Sequence, residues 1–173
     1  MTTLYSPSRR RALIALSLAA VAPLSRAAGA SRAAPEFVGI QTWLNSEPLS
    51  MAALRGQVVM VDFWTYACIN CIHVLPHVVQ WHAKYKDRGL VVVGVHTPEF
   101  AHEHDTNNVK KAIERHGIRY AVAQDNQFKT WNAYRNRYWP TVYLVDRSGD
   151  LAYSHAGEGA YEEIERTLQR LLG

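Results

Sequence analysis

Two cysteines occur in the 173-residue chain, Cys68 and Cys71, separated by Ile69 and Asn70 inside the stretch WTYACINCIHVLPH at residues 64–77. A pair so spaced can grip a metal, carry a haem, staple the fold or exchange disulfides with another protein. A c-type haem site needs His directly after the second cysteine, and Ile72 stands there, so haem attachment is excluded. Structural zinc needs four ligands, and without a second CxxC the others would be histidines such as His73 and His77. On a helix through this stretch, Cys71, Val74, Leu75, Val78 and His82 share one stripe, whereas His73, His77 and Lys84 fall on another. A solvated pair of histidines is therefore the plainer reading. A disulfide closing so short a loop removes little entropy from the unfolded chain, so it has almost no value as a staple. Disulfide exchange remains.

The flanking sequence favours that chemistry. Gln57 to Trp64 is a near-continuous apolar run rich in β-branched residues, as expected of a strand buried on both faces. From Cys68 a helical period continues to Lys86, with Pro76 inside it and Gly89 to stop it. Leu90 to His96 is a second buried strand. The resulting β–CxxC–α–β unit requires a parallel, right-handed crossover. At a helix N-terminus unpaired N–H groups and the dipole favour an anion, which makes Cys68 the nucleophile. Cys71, one turn further in, is placed to attack the mixed disulfide that Cys68 forms. Asp62 is the one polar residue of its strand. Burial raises the pKa of such a carboxyl towards a range where it can accept the Cys71 proton; a satisfied strand-end Asp is the alternative.

Ser8-Arg9-Arg10-Arg11 followed by the apolar run Ala12 to Ala22, Pro23 and the small residues Ala28-Gly29-Ala30 reads as an export signal over residues 1–30. The run is about eleven residues, short of the roughly 20 of a membrane span. The same arginines suit the twin-arginine and the general route alike. Removing residues 1–30 deletes four arginines and no acid, so the net charge falls from +4 to zero. No basic stripe remains to follow a phosphate backbone, and nucleic acid is not an expected partner. The expected location is periplasmic or otherwise extracytoplasmic, with a tether if the signal is not cleaved. An oxidising compartment also suits thiol chemistry. Residues 31–35 are a short linker, and 36–173 form one domain.

Val61-Asp62-Phe63-Trp64 leading to Cys68-x-x-Cys71, Pro76 five residues later, and Trp139-Pro140-Thr141 before a strand together resemble the thioredoxin superfamily. That combination is highly specific. Trp64 to Cys71, Gly94 to Phe100 and Asn136 to Pro140 are similar to the exported redoxin group that includes the TlpA type and the C-terminal thioredoxin module of DipZ-like cytochrome c biogenesis proteins, over roughly residues 36–172. The resemblance implies an α/β thioredoxin fold: a central mixed sheet, flanking helices, an N-terminal hairpin and an inserted helix. It implies a thiol–disulfide oxidoreductase with Cys68 and Cys71 as its redox-active pair and no other cofactor. Its expected partners are protein thiols and disulfides and a membrane-embedded thiol reductant of the CcdA/DsbD type, and the chain is expected to be a monomer. Pro140 is then cis and faces the cysteines. The acid that TlpA-type helices carry three residues after the second cysteine is replaced by Val74, which leaves Asp62 as the buried-acid candidate.

Within that fold Gln41 to Leu49 is the expected hairpin, Asp105 to His116 the inserted helix, Asp146 to Asp150 a turn between two strands, and Tyr161 to Leu172 an amphipathic closing helix. Trp64, Trp139, Pro140 and Thr141 are expected to line a substrate groove beside the thiols, with core packing the alternative for the tryptophans. Glu99 either lines the site or is an exposed acid at a helix start. His102 and His104 with His96 offer a metal site or a polar loop. Two other readings stay open: a copper-handling protein on the same scaffold, and a disulfide-forming oxidant, which differs only in potential.

Overall fold

The computed structural model describes residues 1–2 and 33–173. The expected export signal, apart from its first two residues, and the start of the expected linker lie outside the described residues. Ala33 is already docked: it bridges Asp150, and the Ala34 N–H donates to the Gly149 carbonyl at 2.9 Å.

Six strands form one mixed sheet. In chain order the elements are β1 (Thr42–Leu44), β2 (Val58–Trp64), α1 (Ile69–Tyr85), β3 (Leu90–His96), α2 (Thr106–Arg115), β4 (Ala121–Gln124), α3 (Lys129–Ala133), β5 (Thr141–Val145), β6 (Leu151–Ala156) and α4 (Tyr161–Leu172). The sheet order is β1-β4-β3-β2-β5-β6. β2, β3 and β4 run parallel, while β5 is antiparallel to β2, β6 to β5 and β1 to β4. This is the central mixed sheet with flanking helices that the resemblance to the thioredoxin superfamily implies.

Every residue of β2 is buried, which is why its sequence reads as a continuous apolar run instead of an alternating one. Its two faces feed separate cores. Val58, Met60 and Trp64 pack with α1, α2 and α4, including Cys71, Val74, Val78, Val109, Ile164 and Leu168. Val59, Val61 and Phe63 pack with α3 and with the segment before β2, including Met51, Leu54 and Trp131. Gly94, paired with Asp62 in the ladder, is closely packed: an added Cβ lies 3.0 Å from both Trp64 Nε1 and Tyr120 Cε2, so these rings would have to shift to admit it.

The expected hairpin over 41–49 is not formed. Thr42–Leu44 is a single edge strand that pairs with β4, so its partner lies about 80 residues on rather than next to it. The helix after β3 begins on Asp105, whose side chain accepts the Asn107 N–H at 2.8 Å, an N-cap that satisfies one of the orphan donors of α2. α1 ends in a 3₁₀ turn closed by Gly89 at φ 94°, the left-handed conformation that favours glycine. The 146–150 turn is held by Asp146, whose carboxylate accepts the N–H groups of Ser148 and Asp150.

Candidate active site

Cys68 and Cys71 emerge where β2, near the middle of the sheet, hands over to α1. Cys68 is the N-cap of α1 and half-buried; Cys71 is buried at 1% exposure, and both are free thiols. The Cys68 thiol points at the Trp139 carbonyl, 3.9 Å away, and the Trp139–Pro140 peptide bond is cis. The sheet thus brings Cys68 and Pro140 together from positions 72 residues apart in sequence. Trp139 is half-buried, its ring anchored by Nε1 donating to the Thr97 carbonyl at 3.1 Å and packed on Trp131 at 4.2 Å between centroids. Beside Cys68 two large apolar side chains, Ile69 and Tyr138, are each 63% exposed and free for contact.

Asp62 lies beneath the pair. Strand alternation puts it on the face of β2 that carries Met60 and Trp64, the face that packs against Cys71. Neither of its oxygens has a hydrogen-bond partner among the described residues, and burial pushes its carboxyl up from 3.8 to about 7. Burial also drives the Cys71 thiol well above the ordinary thiol range; the Thr65 N–H opposes that rise, while Cys68 and Asp62 add to it. Among the described residues two other carboxylates are buried. Asp125 accepts the N–H groups of Lys129 and Trp131 at the start of α3, and Glu103 has all its bonds made. Asp62 is thus, among the described residues, the buried carboxylate with lone pairs to spare near the Cys71 sulfur.

Sequence reasoning passes over Glu103, yet this residue holds the site's frame. Its Oε1 accepts the Thr65 hydroxyl and the Ala67 N–H, the latter at 3.1 Å; its Oε2 accepts the N–H groups of Glu99 at 2.7 Å and Phe100 at 2.8 Å. Burial works to raise its pKa, but these bonds outweigh it and hold the carboxyl below its usual value. An acid three residues past a helix start, reaching back to the N–H of Phe100, is half of a readable signal. Glu99 itself is exposed, and its hydrogen bond to the frame is made by its backbone.

Two of the expected groove residues need correction. Trp64 has no exposed surface and packs edge-on to His96, 5.2 Å between centroids, so it underlies the pair rather than lining a groove. Thr141 is 3% exposed, and its hydroxyl donates to the Tyr138 carbonyl, which shapes the turn before Pro140 instead of meeting a ligand. Trp139 and the Pro140 turn remain as the wall facing Cys68.

The histidines are dispersed. His73 pairs with Glu158 at 3.1 Å, and His77 stacks on Tyr161 at 3.7 Å. His96 is buried against Tyr66, and burial lowers its pKa to about 4, whereas His102 is exposed and stacks on Phe100. Among the described residues no group of three or more His, Cys, Asp or Glu is placed to hold a metal ion.

The AhpC/TSA family model matches residues 30–154. Protein DipZ of Mycobacterium bovis is 49% identical over 142 residues, which cover 80% of this chain and 20% of DipZ, so the chain spans about a fifth of that relative's length. The thiol-disulfide oxidoreductase YkuV of Bacillus subtilis is 29% identical over 138 residues, 80% of this chain and 93% of YkuV. The solution structure of a thioredoxin-like protein in its oxidized form superposes with a TM-score of 0.75 at 29% identity, covering 82% of this chain and 95% of that one.

Proposed function

The chain belongs to the AhpC/TSA family, and from that premise we propose that it is an extracytoplasmic thiol–disulfide oxidoreductase that reduces protein disulfides, in the service of cytochrome c maturation. The observation that carries the chemistry is a half-buried thiol at a helix start, facing the turn at Pro140, with a buried second thiol above an unpartnered carboxyl. The names of YkuV and of related oxidoreductases support the reaction class. The arginine-led apolar segment at the N-terminus supports export, and likeness to DipZ supports the pathway.

The Cys68 thiolate attacks one sulfur of a substrate disulfide, forming a mixed disulfide and expelling the other substrate sulfur as a thiolate, which takes a proton from solvent. Cys71 passes its proton to Asp62 and attacks the Cys68 sulfur. The mixed bond breaks, its electron pair leaves with the second substrate sulfur, and the Cys68–Cys71 disulfide remains. Two electrons have moved to the substrate. A membrane-embedded dithiol of the CcdA/DsbD type returns them. The exposed Ile69 and Tyr138 and the Trp139 wall hold apolar residues flanking the target cysteine.

Insulin-disulfide reduction tests the reaction: wild type accelerates it in the presence of a reductant, and Cys68→Ser abolishes the effect. Direction is read from equilibration with dithiothreitol and glutathione. A midpoint near that of thioredoxin, about −270 mV, supports reduction; one near about −120 mV makes the protein an oxidant instead.

A further inference from the structure

Four donors converge on Glu103, and they come from two segments. Glu99 and Phe100 belong to the loop after β3. Thr65 and Ala67 belong to the loop that delivers the cysteines. Thr65 is a pivot: its hydroxyl donates to Glu103, so towards His96 Nε2, 3.5 Å away, its oxygen can only accept, and its backbone N–H works to lower the pKa of the Cys71 thiol. Ala67 directly precedes the nucleophile. One buried carboxylate therefore fixes both the residue before Cys68 and the residue whose N–H favours the Cys71 thiolate.

We propose that Glu103 is a positioning residue for the resolving step: by clamping Thr65 and Ala67 it keeps the Thr65 N–H aimed at Cys71, where it stabilises the thiolate that attacks the Cys68 mixed disulfide. This rests on the thiol–disulfide reading above. In that step the Cys71–Cys68 bond forms, the bond from Cys68 to the substrate sulfur breaks, and the Cys71 proton goes to Asp62. The carboxylate suits the task because all four of its neighbours are donors. A glutamine in its place turns an NH₂ towards two of them, which loosens one side of the clamp. A Thr65 freed from its tether no longer holds its N–H on the sulfur, and the thiolate loses a charge-assisted hydrogen bond.

The two half-reactions separate when Cys68 is loaded with an aromatic disulfide such as 5,5′-dithiobis(2-nitrobenzoate). The first coloured thiolate reports attack by Cys68 and the second reports resolution by Cys71. Glu103→Gln and Thr65→Val are each expected to slow the second release about tenfold or more and the first less than about threefold. They are also expected to shift the pH profile of the second release upward, while Thr65→Ser, which restores the hydroxyl, recovers the wild-type rate. Unchanged second release in either folded variant, or equal slowing of both releases, overturns the proposal. If Glu103→Gln does not fold, Thr65→Val alone decides, because it leaves the other three bonds of Glu103 in place. A wild type that releases no first thiolate would instead refute the oxidoreductase reading itself.

Discussion

Replacing Asp62 by Asn removes a charge without changing shape, and the structure sets both the sign and the size of the result. The folded carboxyl titrates near 7 and the unfolded one near 3.8, so folding opposes ionisation of Asp62. At about 1.36 kcal/mol per pH unit, that interval amounts to about 4 kcal/mol once both states are ionised. Stability tied to this group is fully present below 3.8 and is lost as pH rises to about 7. At about pH 5 the wild type bears roughly 1.6 kcal/mol of the penalty, and at about pH 8 nearly all of it. The stability gap in favour of Asp62→Asn should therefore widen by about 2–3 kcal/mol between those two conditions. His96 acts in the opposite sense, since burial lowers its pKa to about 4 and stability linked to it rises with pH up to 6.5. Its contribution is common to both proteins and cancels in the difference. Urea midpoints of the two proteins across the range supply the measurement. The same variant lacks an acceptor for the Cys71 proton, so resolution of the mixed disulfide should slow by about a hundredfold. A gap that stays flat with pH, or a fully active variant, refutes the proton-acceptor role.

Gly94→Ala drives a methyl against Trp64 and Tyr120 at 3.0 Å and should cost about 1–3 kcal/mol in urea unfolding. A loss below about 0.5 kcal/mol would show that the ring pair yields freely. Trp64 belongs to the same buried cluster as Cys71, so in a variant where it is the one remaining tryptophan its emission should differ between oxidised and reduced protein. Identical spectra would count against that placement. Leu168→Ala, with no exposed surface in α4, should lower stability by about 2–5 kcal/mol and leave mixed-disulfide formation by the folded protein unchanged.

The elements legible in the sequence are those whose signals are local. The near-continuous apolar runs at 58–64 and 90–96, rich in β-branched residues, the helical stripe from Cys71 through Val78, the turn at Asp146–Asp150 and the amphipathic 161–172 segment all match observed elements. Thr42–Leu44 misleads because its three residues are neutral as to partner, and only the tertiary fold chooses β4 over a neighbouring strand. β4 itself, AVAQ, and the five-residue α3 are too short for a period to register. The cysteine pair, Pro140 and Asp62 are legible because each breaks its local pattern. Glu103 is not, since its decisive donors, Thr65 and Ala67, lie 38 and 36 residues away and an acid in a polar loop looks like any other. Trp64 and Thr141 lie near the cysteines but on the buried side, a distinction that needs the sheet's faces to be known.

The central claim is that Cys68 attacks and Cys71 resolves, and covalent trapping tests it most directly. Cys71→Ser leaves the half-buried Cys68 thiol but removes the buried thiol that releases it, so incubation with a disulfide-bonded protein substrate should accumulate a complex linked through Cys68, visible on non-reducing gels and assignable by peptide mass. Cys68→Ser should give none, because the remaining thiol is 1% exposed. Equal trapping by the two variants, or a complex linked through Cys71, would contradict the account.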